Sequence, residues 1–203
     1  SYLLHLINRA LTLSGKGIVR IPVDRYKVSA EKLPTRLGVA RWDHIESYDG
    51  KKVVTDVRRL LEGYPLRIPA SWHDADSAET VQLGEHDMIG IDGLHVLDPS
   101  YTAALKGNEL LSIYVEAPAP LRFMRRLKRD LSRKTPGYDS GLSILKAWAT
   151  VVELEKIFVY PTRDSAEIIV EEGSDTEAGN LFSELHFLLN HLLIDPEVKA
   201  NKS

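Results

Sequence analysis

The chain has 203 residues, 43% of them hydrophobic and 27% charged, with a formal net charge of −3 and a pI near 6.2. That size supports one domain with its own core, and the composition excludes collagenous, coiled-coil and disordered classes. The near-neutral charge gives no electrostatic ground for a nucleic-acid partner, the lack of cysteine excludes disulfides, thiolate metal sites and a cysteine nucleophile while fitting a cytoplasmic protein, and no apolar run reaches the ~18 residues of a membrane span.

Tyr2, Leu3, Leu6, Ile7, Ala10 and Leu11 recur at helical spacing, so 2–13 reads as a helix ended by Ser14-Gly15-Lys16-Gly17. Ile18 to Val23 reads as a short strand, followed by polar, proline-broken sequence to about Asp49. Val53 to Leu61 has helical periodicity, closed by Gly63. Leu66–Ile68 and Thr80–Leu83 read as two short strands joined by a polar loop, and Met88–Ile91 as a buried strand ending at Asp92-Gly93. A helical stretch near 99–105 leads to a strand at Leu110–Val115.

Pro118 then falls near the first turn of a long basic helix at about 118–134, where proline is tolerated. Thr135-Pro136-Gly137 separates it from a second long helix, about 140–157. Ala166–Val170 reads as the last strand and Leu181–Leu193 as a closing amphipathic helix. Strands alternating with helices predict an α/β fold, a mainly parallel sheet flanked by helices, over a single domain spanning 1–203. Ligands of such sheets bind at the carboxyl ends of the strands, which directs attention to Asp24, Asp92 and Glu116.

Asp24 follows the first strand directly. An acid there is placed to accept a proton from a substrate hydroxyl; the competing reading is a turn-forming Asp. Ile89-Gly90-Ile91-Asp92-Gly93 has the shape of a strand that ends in a Mg2+-holding carboxylate, although many strands end in Asp-Gly turns. Arg122, Arg126, Arg129 and Arg133 lie three or four apart and share a helix face, with Arg125, Lys128 and Lys134 nearby. Such a stripe suits closure over polyphosphate; the plainer reading is a solvated face. Asp130 is the lone acid among these bases, so pairing along the helix explains little of the run. His73, Asp74 and Asp76 have no strong metal-ligand spacing, and Gly15-Lys16 lacks the earlier glycine of a phosphate-binding loop.

In order along the chain, these pieces resemble the uridine kinase/phosphoribulokinase family of P-loop kinases. Ile21-Pro22-Val23-Asp24-Arg25-Tyr26 is similar to its strand followed by Asp-x-Tyr/Phe-Tyr, and Trp42-Asp43-His44-Ile45-Glu46-Ser47-Tyr48-Asp49 to its Phe-Asp-His-Pro-x-Ala-Phe-Asp segment. Gly63 to Pro69 resembles the stretch before the substrate loop, and Asp87 to Leu97 the Asp-Val-Val-Ile-Val-Glu-Gly-x-His-Ala-Leu strand. Arg122 to Asp130 resembles the Arg-x-x-Arg-Arg-x-x-Arg-Asp lid helix, and Phe158 to Arg163 with Ala166 to Ile169 the Phe-Val-x-Pro-Thr-Lys and Ala-Asp-x-Ile-Ile ending.

The resemblance implies an ATP-dependent kinase that phosphorylates a hydroxyl of a nucleoside, sugar phosphate or similar small molecule. It implies Asp24 as catalytic base, with Arg126 and Arg129 stabilising the transferring phosphoryl group. Arg122 and Arg133 would bind the ATP phosphates, Ser1 and Asp92 would serve Mg2+, and Tyr26, His44 and Trp72 would contact the acceptor. It implies a homo-oligomer, with no sequence patch selecting its order.

The departures are specific. The family's Gly-x-x-x-x-Gly-Lys-Ser/Thr loop and the strand before it are not in 1–203: helix 2–13 matches the helix after that loop, and Ser1 falls at its Ser/Thr. The expectation is an N-terminal piece preceding Ser1, because a sheet without a central strand exposes apolar neighbours and unpaired backbone. The alternative is a non-catalytic binding or regulatory relative. Asp92 replaces the family's Glu, Ser71 to Ser77 replaces the nucleoside-binding Tyr-Asp-Phe and His-x-Arg elements, and Arg133-Lys134-Thr135-Pro136-Gly137 replaces Arg-Gly-Arg.

Overall fold

The computed structural model describes residues 2–33, 35–36, 39–40, 42–71, 74–107, 109–133 and 141–171. The first helix, α1 (Tyr2–Thr12), presents Leu3, Leu4, Ile7, Ala10 and Leu11 to one small core, a stripe with the 3–4 spacing read from the sequence. Gly15 closes it at φ +72°, a left-handed conformation that a side chain would strain, and the Lys16 amide returns to the Leu11 carbonyl at 3.1 Å. Asn8 accepts the Ile18 amide at 2.9 Å, so the helix side chain sets where the next strand, β1 (Ile18–Pro22), begins.

Two two-residue strands, β2 (Thr35–Arg36) and β3 (Val39–Ala40), pair within the polar stretch that follows. Helix α2 (Gly50–Leu61) starts where Asp49 accepts the Lys52 amide at 2.9 Å, an N-cap bond. Asp49→Ala is expected to lower stability by about 1 kcal/mol, read as a shifted urea midpoint at unchanged slope.

Strands β4 (Leu66–Ser71) and β5 (Asp74–Val81) form an antiparallel hairpin whose register shifts between Pro69 and Ser71. The expected polar loop is therefore shorter than read, because β5 already begins at Asp74. Next come β6 (Met88–Asp92), α3 (Pro99–Thr102), β7 (Ile113–Glu116), α4 (Ala119–Arg133), α5 (Gly141–Leu154) and β8 (Ile168–Glu171). Strand β7 starts three residues later than the apolar run at Leu110, and Leu110 and Leu111 are exposed. The second long helix leaves α geometry after Leu154 and runs as a π turn to Val159. The basic helix appears where expected, as α4. The closing helix at 181–193 and the Thr135-Pro136-Gly137 break lie outside the described residues.

Both ladders that carry the α/β character are parallel: β1 with β6, and β7 with β8. Alternation sends β1·β6 side chains to two different cores. Val19, Ile21, Ile89 and Ile91 join Val53, Val57 and Leu60 of α2 and Leu66 and Ile68 of β4. Ile18 and Met88 face α1 instead. Ile113 of β7 packs on that same α1 cluster, so one helix serves both ladders. Ser112 and Glu167 lock the start of β7·β8 by reciprocal bonds, amide to carboxylate at 2.8 Å and amide to hydroxyl at 3.0 Å.

Candidate active site

In the β1·β6 register Pro22 stands opposite Asp92, so the two ladder strands end together and deliver Asp24 and Asp92 to the same edge. A single 3-10 turn, Val23–Tyr26, follows β1. Val23 and Tyr26 bury themselves in the core, and Asp24 between them is left outward with its side chain 71% exposed. Lys27 lies 3.6 Å from the Asp24 carboxylate, with its ammonium 5.9 Å from the Trp42 ring centre and 5.4 Å from that of Tyr48. Burial, and then the charge of Asp24, push the Tyr48 phenol well above its ordinary value, so it remains a neutral donor facing that carboxylate.

Segment 42–48 is held by three other parts of the chain. Asp43 takes a 3.0 Å ion-paired hydrogen bond from Arg126 of α4, and its carbonyl lies 3.0 Å from His95 Nε2. His44 packs edge-on against Phe158 at 4.7 Å and accepts the Glu46 amide at Nδ1. His95, fully enclosed just after β6, makes edge contacts with both Tyr48 and Phe158.

Burial holds the His95 imidazole below its ordinary value of 6.5, against the opposing pull of the Asp43 carbonyl and carboxylate and of Asp98; nearby His44 reinforces the depression. A group neutral in the folded chain but protonated in the unfolded one removes stability as pH falls through 6.5. Between pH 7.5 and 5, the native chain is expected to lose more denaturant resistance than His95→Gln does; parallel losses would mean His95 does not titrate this way.

Tyr26 is 4% exposed and belongs to the core cluster, its phenol facing Asp56 and held above its ordinary value by burial and then by that carboxylate. The ring thus lies beneath the Asp24 turn, in the core. Asp92 is met by Arg20, whose Nε and Nη2 donate to the two carboxylate oxygens at 3.0 and 2.8 Å. Among the described residues no group of three His, Asp or Glu could hold a metal ion. With both Asp92 oxygens on a guanidinium, the described residues do not fit the Mg2+ site that the family implies.

Two arginines of the α4 stripe, Arg122 and Arg126, are paired by acids from distant segments, and Arg129 by the adjacent Asp130. Arg122 donates to the Ala117 carbonyl at 2.9 Å, pairs with buried Glu155 from the π turn, and lies 5.7 Å over the Trp148 ring. Arg126, with a side chain 15% exposed, reaches Asp43 and also Asp130 at 3.4 Å. Arg129 bonds Asp130 at 2.7 Å and is half-exposed. Arg163 pairs with Glu116 at the carboxyl end of β7. Ser1, Trp72, His73 and the Arg133 side chain lie outside the described residues.

Sequence reading gave no role to Asp43, Lys27, Glu155 or Arg20. Two of them carried a signal: Asp43 within the quoted Trp42–Asp49 segment, and Arg20 as the single charge inside an apolar strand.

Parallel ladders covered by helices, with acids gathered at their carboxyl ends, define an α/β protein whose ligand edge lies there. A solved structure described as a possible uridine kinase from Bacillus stearothermophilus superposes with a TM-score of 0.51 at 16% identity, covering 82% of this chain and 79% of that one. Residues 17–178 match the Phosphoribulokinase / Uridine kinase family, and the chain belongs to it. It is similar to the uridine kinase of Bacillus velezensis, 29% identical over 164 residues, covering 78% of this chain and 74% of the relative. It is also similar to that of Halobacterium salinarum, 26% identical over 175 residues, covering 84% and 75%. The names of the family and its relatives are those of kinases. Among the described residues no helix is long and apolar enough to cross a membrane.

Proposed function

We propose that the chain is an ATP-dependent phosphotransferase acting on a hydroxyl of a nucleoside, sugar phosphate or similar small metabolite, working in the cytoplasm as one domain. The observation that carries this reading is Asp24: an outward carboxylate at the end of a parallel ladder, backed by Lys27 and the Tyr48 phenol. Asp24 would orient the acceptor O–H and take its proton as the oxygen attacks the γ-phosphorus, while the bond from that phosphorus to ADP breaks and ADP leaves. Arg129, half-exposed, and Arg126, behind it, would offset charge on the transferring group. Tyr26, His44 and Trp72 would contact the acceptor, and Arg122, Arg133 and Ser1 the nucleotide.

The test is transfer of labelled γ-phosphate from ATP to uridine, cytidine and ribulose 5-phosphate, each against a no-acceptor blank. Acceptor-dependent product with one of them is expected. None across nucleosides and sugar phosphates would sink the reading and leave the non-catalytic binding module.

A further inference from the structure

Arg20 and Asp92 share one face of the β1·β6 ladder. Arg20 stands opposite Gly90, and Asp92 lies two residues further along β6, on the same side. Gly90 leaves room there only for its neighbours: a Cβ on it would come within 2.7 Å of Ile18 Cγ2 and 3.1 Å of Leu4 Cδ2. With no side chain at 90, the Arg20 stem leans along the strand and its guanidinium meets Asp92 side-on, two donors on two oxygens. This is a directional, charge-assisted pairing that a lysine cannot reproduce. Asp24 and Glu79 add their fields at the guanidinium, so three acids favour its place.

The contact with Leu4 also orients α1. That helix runs back along the ladder, its last turn near Ile18 and its amino end toward the edge where Asp92 lies. The amino end of α1 therefore points toward the edge where the guanidinium meets Asp92. A divalent ion at Asp92 would sit at contact distance from a like charge.

We propose that Arg20 is the resident cation of Asp92: the carboxylate holds the guanidinium in position at the strand edge and is not a metal ligand. Three guanidinium N–H donors remain on this half-exposed side chain, and they would suit a phosphate oxygen of nucleotide or acceptor. This places Arg20 among the residues that position anionic substrate, and it borrows from the proposed function only the location of the site.

The test uses Mn2+ alone as probe, its binding to the full chain followed by the loss of free-ion EPR signal, with no nucleotide and no turnover. Failure of the kinase assay therefore leaves this inference standing, and the reverse. Asp92→Asn is expected to leave Mn2+ binding of the native chain unchanged. Arg20→Met is expected to tighten it by roughly tenfold or more, because a like charge next to a divalent ion near a surface is worth more than that factor. In the double variant the gain is expected to vanish. Native Mn2+ binding that Asp92→Asn abolishes would overturn the proposal, as would an Arg20→Met chain that binds no better than native. If Arg20→Met does not fold, the native and Asp92→Asn comparison decides alone.

Discussion

Asp24→Asn is expected to lower turnover by at least ~100-fold while leaving ATP binding and fold intact. The substitution keeps the shape of the side chain and removes its ability to accept a proton. The fold has little at stake. Asp24 is outward, its ion pair among the described residues is with Lys27, and pairs with one exposed partner contribute about 0–1 kcal/mol. Lys27 keeps its place over the Trp42 and Tyr48 rings without it. Turnover and denaturation midpoint should therefore separate cleanly: a large fall in the first with the second within a few tenths of a kcal/mol. Near-native turnover in a folded Asp24→Asn chain would remove Asp24 from the mechanism.

Arg126→Met is expected to cost on the order of 3 kcal/mol of stability, the lower end of what breaking a buried ion pair costs. Arg126 is the bond between α4 and segment 42–48, and Asp130 is nearly enclosed. Methionine fills most of the volume but leaves Asp43 without this partner and Asp130 leaning on Arg129 alone. Asp43→Asn should cost less on the Arg126→Met background than alone, since both remove the same bond; the coupling is read by a double-mutant cycle in urea. Arg126→Lys supplies one point charge where two acids are reached from different nitrogens, so it should rescue only in part. Additive losses across the cycle would dissolve the link between α4 and 42–48.

Why the sequence disclosed some of this and hid the rest is a matter of range. Helix α1 and strand β1 were legible because their partners impose local periodicity: Leu3, Ile7 and Leu11 on one stripe, Ile21 buried in β1. The carboxyl-end position of Asp24 followed from that, since a strand end is a local feature. The β5 start at Asp74 was missed because Asp-Ala-Asp-Ser has turn composition, and it is cross-strand pairing with β4 that extends it. Pairing along the helix explained little of the arginine stripe because Asp130 is the only acid within α4, whereas Asp43 lies 83 residues from Arg126 and Glu155 lies 33 from Arg122. The Asp92 pairing hid for the same reason: Arg20 is 72 residues distant and meets it only through the ladder. Charge pairing across elements leaves no periodic trace, so the electrostatics of the site are the part that only the three-dimensional arrangement supplies.

The parallel ladders also set an order of assembly. The β4–β5 hairpin, α1 and α2 draw on neighbours close in the chain and can form early. The β1·β6 ladder joins residues roughly seventy apart, and that loop must close before any of its pairings is rewarded. Asp24 and Asp92 are therefore expected to reach their common edge only once that ladder closes. Until then the apolar faces of Ile21, Ile89 and Ile91 are open to other chains. The same topology that gathers the acids at one edge makes the newly synthesised chain most vulnerable just before it acquires them.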